Sequence, residues 1–116
     1  MGITYIEGEV SGPAGKERVR FLVDSGATYT LLPLNVWKAI GLTPKRTLEF
    51  VLADGTTIQR GISECYIALP QGKGHTPVIL GEGSDEALLG TVTLEILGLV
   101  FNPLNRTLQP MRMRLV

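Results

Sequence analysis

The residues with the clearest chemical potential are Asp24, Ser25 and Gly26, which directly follow the apolar run Phe21-Leu22-Val23. A run of that composition, bounded by a turn signal, reads as a buried strand. A carboxylate at its end must be hydrogen-bonded, paired or protonated, because an unpartnered buried charge is very costly. Ser25 and Gly26 supply a hydroxyl, free backbone N–H groups and a sharp turn. The local physics therefore describes an acid held at the mouth of a β core. The work suited to such an acid is proton transfer, above all when two carboxylates sit close enough to share one proton. The ionised member then pulls a proton from water while the neutral member polarises a carbonyl. The chain has three aspartates, Asp24, Asp54 and Asp85, and only Asp24 has this setting.

Other chemistries find less support. Cys65 and His75 are the single cysteine and single histidine. Neither lies in a nucleophile context, and together they make no metal-ligand set. Cys65 falls in a strand pattern and reads as a small buried or half-buried residue, His75 as an exposed turn residue, Trp37 as core. Gly72-Lys73-Gly74-His75 lacks the glycine spacing and the Ser or Thr of a phosphate loop. Eleven basic and eleven acidic side chains balance, which leaves no electrostatic footprint for nucleic acid and no polybasic membrane patch. The longest apolar stretches, such as Ile96 to Phe101, are far too short to span a bilayer. No targeting signal is visible, and one cysteine gives no internal disulfide. The expectation is a soluble cytoplasmic protein with no cofactor, no metal, no nucleic-acid partner and no membrane partner. With 44% apolar residues among 116, the chain suffices for one domain, residues 1–116, with its own core.

Short strands and tight turns organise the rest. Strands are expected at residues 3–10, Glu17–Val23, Tyr29–Leu32, Leu48–Ala53, Thr56–Leu69, His75–Leu80, Ala87–Leu89, Leu99–Asn102 and Arg106–Met113. Turns fall at Ser11–Gly15, Pro70–Gly74 and Pro103–Asn105. Two helical segments, Leu34–Ile40 and Thr91–Leu97, are closed by Gly41 and Gly98. Asp54-Gly55 between apolar strands signals a hairpin with a type I′ turn, which needs positive φ at both positions. Leu31-Leu32-Pro33-Leu34 through Gly41-Leu42 aligns with Leu88-Leu89-Gly90-Thr91 through Gly98-Leu99. Each copy reads buried strand, helix, glycine cap, strand. Two copies indicate a pseudo-symmetric domain and not a solenoid. Asp24-Ser25-Gly26 then faces Gly81-Glu82-Gly83, so only the first half carries an acid loop.

Asp24-Ser25-Gly26-Ala27 after an apolar strand, its continuation Thr28-Tyr29-Thr30-Leu31-Leu32-Pro33, and the later Ala87-Leu88-Leu89-Gly90 before a short helix resemble the retropepsin-like aspartic proteases. These are the viral proteases and their cellular relatives. The likeness runs from about Gly8 to Leu108. It implies an all-β fold: a closed, barrel-like acid-protease domain with a hairpin flap and two short helices. It also implies an aspartic endopeptidase that acts on extended peptide segments. Two-lobed pepsin-type relatives carry two acid motifs in a chain roughly three times longer. With one motif per chain, the second acid comes from a C2 homodimer, as in the viral members.

By position, the resemblance makes Asp24 the catalytic carboxylate. Ser25 would bond across the dimer, Gly26 would accept a substrate N–H with its carbonyl, and Ala27 and Thr28 would complete the loop. Ala53, Asp54, Gly55, Thr56 and Thr57 fall where the family has its substrate-clamping flap, although without the glycine-rich viral tip. Leu88, Leu89 and Gly90 would support the loop from behind. Viral members often place an acid after the Ala and an Arg after the later Gly, and these groups pair. Thr28 and Thr91 stand there instead, so dimer stability must come from elsewhere. The alternation Met111-Arg112-Met113-Arg114-Leu115 suggests a terminal strand able to join a partner's edge. Two other readings fit the same residues. Asp24 can serve only an Asx-turn in a catalytically inactive dimerisation or peptide-binding module of this fold, or the domain can be a monomeric β-barrel ligand binder.

Overall fold

The computed structural model describes residues 3–112 and 114–115. Nine strands and two helices follow one another as β1 (Tyr5–Gly12), β2 (Gly15–Val23), β3 (Thr30–Leu32), α1 (Leu34–Ala39), β4 (Arg46–Val51), β5 (Thr57–Leu69), β6 (Gly72–Leu80), β7 (Leu88–Leu89), α2 (Thr91–Ile96), β8 (Leu99–Asn102) and β9 (Thr107–Pro110). Seven strands form one sheet in the order β1-β2-β7-β3-β6-β5-β4, and β1 also pairs with β5. That extra pairing closes six strands into a barrel and leaves β4 outside as the outer arm of a hairpin. The fold is all-β, with two short helices, as expected.

The barrel is built twice. β1, β2, β3 and α1 correspond to the second part of β5, then β6, β7 and α2, at a constant offset in numbering. Gly15–Val23 matches Gly72–Leu80, and Leu34–Ala39 matches Thr91–Ile96. Gly12 pairs with Gly15 across the first hairpin as Leu69 pairs with Gly72 across the second. Two cross-strand pairs, Val10 with Ile67 and Leu31 with Leu88, each join a residue to its own counterpart. The internal two-fold axis therefore passes through both. The core respects the same symmetry: Val10 and Ile67, Leu32 and Leu89, and Phe21 and Val78 are all fully buried. Burying each such side chain contributes about 1.5–3 kcal/mol.

The helices end as their sequences require. Gly41 and Gly98 sit just past α1 and α2 with φ of 80° and 70°, the left-handed conformation that glycine adopts most easily. Trp37 packs against the core from α1, and its indole N–H donates to the Gly81 carbonyl at 2.8 Å. β8 and β9 form a separate two-stranded sheet, anchored by the buried Leu99 and Leu108.

Several expected boundaries shift. Only Pro13-Ala14 and Pro70-Gln71 turn the two hairpins, because pairing continues through Gly15 and Gly72. His75 is exposed but lies inside β6, edge-on to Tyr66 with ring centres 5.2 Å apart. The Asp54-Gly55 hairpin does not use a type I′ turn. Gly55 has φ of 89°, while Asp54 keeps a negative φ. The Leu52 N–H donates to the Thr56 carbonyl at 2.8 Å, and the Gly55 N–H to the Leu52 carbonyl at 2.9 Å. This is a three-residue loop, Ala53-Asp54-Gly55, with glycine in the left-handed position. Val51 pairs with Thr57, which ends the strands earlier than the apolar pattern suggests. The terminal strand is shorter too. β9 stops at Pro110, and Met111, Arg112, Arg114 and Leu115 belong to no strand. Met113, expected in that strand, lies outside the described residues.

Gly90, like Gly12 against the Ile40 carbonyl, lies where the backbone leaves no room for a side chain. A Cβ on Gly90 would lie 2.4 Å from the Tyr29 carbonyl carbon, 2.6 Å from its oxygen and 2.7 Å from the Thr28 oxygen. These are backbone atoms and cannot step aside. Gly90→Ala is therefore expected to cost at least about 1–3 kcal/mol in urea denaturation. Gly83→Ala, where an added Cβ meets nothing within 4 Å, should change the midpoint little.

Candidate active site

β2 delivers Asp24. The Val23 N–H donates to the Thr4 carbonyl at 2.9 Å and the Leu22 N–H to the Ala87 carbonyl at 3.0 Å, so the strand is held on both edges up to the acid. The chain then turns. The Gly26 N–H donates to Asp24 Oδ1 at 2.9 Å, and the Ala27 N–H to the Asp24 carbonyl at 3.0 Å. Asp24 is half-buried, and Ser25, Gly26 and Thr28 are exposed. The Asx-turn considered as the plain alternative is thus present. It fixes one carboxylate oxygen with a backbone N–H, and among the described residues no side chain bonds to either oxygen. An acid oriented by its own backbone and open on its other oxygen can exchange a proton with a bound molecule.

The bend from β7 into α2 holds this loop from behind. The Asp24 N–H points at the Leu89 carbonyl at 3.4 Å. The Thr91 N–H donates to the Ala27 carbonyl at 3.0 Å, and the Val92 N–H to the Thr28 carbonyl at 2.9 Å. The first N–H groups of a helix have no partner within it. No side chain caps α2, so the loop's carbonyls do that work. Leu89 and Gly90 are buried, as their supporting position requires. Leu88 differs from them: it is half-exposed and lies on the other face of the sheet.

Strand parity sorts the side chains around Asp24, since alternate residues share a face. Leu22 lies on the face of Asp24. It registers with Leu88 on β7, which registers with Leu31 on β3, and all three are half-buried. They form a row of leucines beside the acid. Leu88, expected only as support, thus joins Leu22 and Leu31, which were not among the expected site residues. The two-residue spacing of Leu22 and Asp24 was the available signal. On the opposite face a groove of about 340 Å³ is lined by Val23, Ser25, Leu94, Val100, Phe101 and Met111, among others.

The Ala53-Asp54-Gly55 loop stands at the end of the β4–β5 hairpin, and residues 51–57 are all exposed. Asp54 Oδ1 accepts from the Thr56 hydroxyl at 2.6 Å and the Thr56 N–H at 3.0 Å. Those two bonds, the hydroxyl first, hold the Asp54 carboxyl below its ordinary value. They stiffen the tip above the ordinary carboxylate pKa and are lost as pH falls through the lowered one. Phe50 of β4 meets Tyr29 edge to face, ring centres 6.4 Å apart. That contact ties the arm of the hairpin to the segment after the acid loop.

The fold and the acid loop together define an acid-protease domain of the single-motif type. A family model described as "gag-polyprotein putative aspartyl protease" matches residues 10–95, well over half of the chain, and the chain belongs to that family. The solution structure of the simian foamy virus (mac) protease is similar in fold, with a TM-score of 0.59 and 21% identity over 79% of this chain and 92% of that one. No curated protein matches the chain.

A larger cavity, about 500 Å³, lies elsewhere, between Ser11, Leu42, Lys45, Tyr66 and His75. Cys65 borders it but is only 3% exposed, and burial pushes its thiol up to about 12 from 9.0. A thiol so placed is a packing residue and a poor nucleophile. Among the described residues no three His, Cys, Asp or Glu side chains gather as metal ligands, and no helix is long and apolar enough to cross a membrane. Labelling of Cys65 with a thiol reagent at pH 8 should therefore be slow in the native protein and fast in urea. Since the folded thiol stays neutral while the unfolded one ionises, this group's contribution to stability is intact below about pH 9. It should decline as pH rises from there towards 12, which thermal melts across that range would detect.

Proposed function

We propose that the protein is an aspartic endopeptidase, active as a homodimer in which each subunit contributes Asp24. The observation that carries this reading is the loop Asp24–Thr28 itself: one half-buried carboxylate, fixed by the Gly26 N–H and backed by the β7–α2 bend. Membership of an aspartyl protease family supports it.

In the proposed mechanism two Asp24 carboxylates meet across a two-fold axis and share one proton, because like charges at close range resist joint ionisation. The ionised member takes a proton from water as the water oxygen attacks the scissile carbonyl carbon. The neutral member gives its proton to the carbonyl oxygen, leaving a tetrahedral diol. Collapse of that intermediate breaks the C–N bond and returns a proton to the leaving nitrogen. The row Leu22, Leu88 and Leu31 would form an apolar floor for side chains flanking the cut bond. Gly26 would receive a substrate N–H on its carbonyl, and the hairpin bearing Ala53, Asp54, Gly55, Thr56 and Thr57 would close over the extended chain.

The dimer is proposed to form through the groove face. Ser25 opens onto that face, and Val100, which also lines it, is 46% exposed. Apolar contact there would replace the acid–Arg pair absent at Thr28 and Thr91.

The test is digestion of a peptide library by wild type and Asp24→Asn, with equilibrium sedimentation of both. Asp24→Asn should stay folded and dimeric yet lose cleavage by a factor of at least about 10²–10⁴. Specific activity of the wild type should fall on dilution as dimers dissociate, and a statine-type inhibitor should block it. Equal turnover by the Asp24→Asn variant would overturn the assignment. Peptide binding without turnover by wild type would assign the inactive module instead.

A further inference from the structure

Behind the acid loop lies a polar cluster that the proposed chemistry does not use. Thr30, Thr76 and Thr93 are 0%, 1% and 0% exposed, on β3, β6 and α2. Thr30 and Thr93 hydroxyls lie 2.6 Å apart, and Thr93 and Thr76 hydroxyls 2.8 Å apart. The Gly90 N–H donates to Thr30 Oγ1 at 3.0 Å, and the Thr76 hydroxyl reaches the Pro77 carbonyl at 3.2 Å. One assignment of protons satisfies every group. Gly90 gives to Thr30, Thr30 to Thr93, Thr93 to Thr76, and Thr76 to the Pro77 carbonyl. Each hydroxyl then donates once and accepts once, with Thr93 in the middle.

Buried hydroxyls are costly unless bonded, and a set of three could be dispensable decoration of a β core. The internal two-fold argues otherwise. The counterparts of Thr30, Thr76 and Thr93 in the other half are Ala87, Val19 and Val36. All three are buried and apolar, with exposures of 5%, 5% and 7%. The scaffold thus builds a corresponding strand–helix crossing, with Pro33 in the place of Gly90, without any hydroxyl where the adjacent loop is Gly81-Glu82-Gly83. It builds it with three where the adjacent loop is Asp24-Ser25-Gly26. The relay ends on Gly90, the residue between the Leu89 carbonyl that faces the Asp24 N–H and the Thr91 and Val92 N–H groups that hold Ala27 and Thr28.

We infer that the Thr30–Thr93–Thr76 relay, with Thr93 as its hub, is a positioning device that fixes the β7–α2 bend and through it the orientation of the Asp24 loop. Apolar packing alone suffices to fold such a crossing. Directional bonds along one line additionally fix its rotation and depth, and a misplacement of about 1 Å can cost a factor of about 10² in rate. The inference rests on the protease reading for its catalytic consequence but not for its structural one.

Thr93→Val is the informative variant, because valine occupies the counterpart position 36 and keeps the shape. Thr93→Ser restores the hydroxyl, and Val36→Ala serves as a control core lesion on the half without an acid. Amide exchange and peptide cleavage are measured on all three. In Thr93→Val, exchange at Gly26, Ala27, Thr91 and Val92 should quicken about tenfold or more relative to amides of β1 and β5. Its kcat should fall about 10- to 100-fold with KM nearly unchanged. Thr93→Ser should recover most of both, and Val36→Ala should show neither at a similar loss of Tm. Wild-type exchange at the loop in Thr93→Val, or a kcat that merely tracks Tm across all variants, would overturn the inference. If wild type cleaves nothing, the protease reading fails, and the exchange data alone decide whether the relay holds the loop.

Discussion

The structure depends on one close crossing: the bend at Gly90 lies directly on the backbone of Thr28 and Tyr29, with no room for a Cβ between them. This approach lets the N–H groups of Thr91 and Val92 reach the carbonyls of Ala27 and Thr28. Two problems are solved by the same bonds. The uncapped start of α2 finds acceptors, and an exposed loop that would otherwise be free to move is tied to the core. A loop needs a rigid scaffold to hold a side chain in a fixed direction, and here the scaffold is brought to within hydrogen-bond distance of it. The half-exposed carboxylate of Asp24 is thereby fixed by backbone alone, leaving its second oxygen without a side-chain partner among the described residues.

The internal two-fold explains why so much of the molecule is devoted to a single acid. β2 and β6, and α1 and α2, are copies in length, and β2 pairs in parallel with β7 as β6 does with β3. Equivalent surroundings in the two halves have diverged in chemistry while keeping shape. Beside α2, the groove bordered by Ser25 and Leu94 is open and apolar. Beside α1, the equivalent groove is bordered by Glu82 and Trp37, and the Trp37 indole bonds to the Gly81 carbonyl. Both halves keep a groove beside the helix, about 370 Å³ at α1 and about 340 Å³ at α2. Only the second lies next to the acid loop, lined there by Val23, Leu94, Val100 and Phe101. The fold supplies the frame twice, whereas the chemistry is written once.

How much of this could be read from the chain depended on whether the deciding contacts were local. The acid turn was legible, because Asp-Ser-Gly after an apolar strand places carboxylate, N–H groups and bend within four residues. The two helices and their glycine ends were legible for the same reason. The leucine row was not, because the registers Leu22–Leu88 and Leu31–Leu88 join strands far apart in sequence. Nor was the threonine relay: threonine is an ordinary strand residue, and nothing near Thr76 in sequence announces that it meets Thr93. The Asp54-Gly55 loop was read as a hairpin correctly but as the wrong turn, since loop length follows from the Val51–Thr57 register and not from the dipeptide. The Met-Arg alternation at the end is a strand pattern, but strands need a partner, and among the described residues the pairing of β9 stops at Pro110.

Two subunits of the proposed dimer would meet at the same loop. Parity along β2 sends Leu22 and Asp24 to one face and Val23 and Ser25 to the other. The faces proposed for substrate and for the second subunit would therefore be separated by a single strand. A surface ion pair adds little stability, so losing an acid–Arg pair to Thr28 and Thr91 is a small deficit against the burial of apolar side chains. Val23, Val100, Phe101 and Met111 offer such side chains around the groove. An association driven by that face would be weakly salt-dependent, in contrast to one held by exposed charges. It would also bear on Ser25 directly, so that subunit contact and the placement of Asp24 would be controlled through neighbouring residues of one turn.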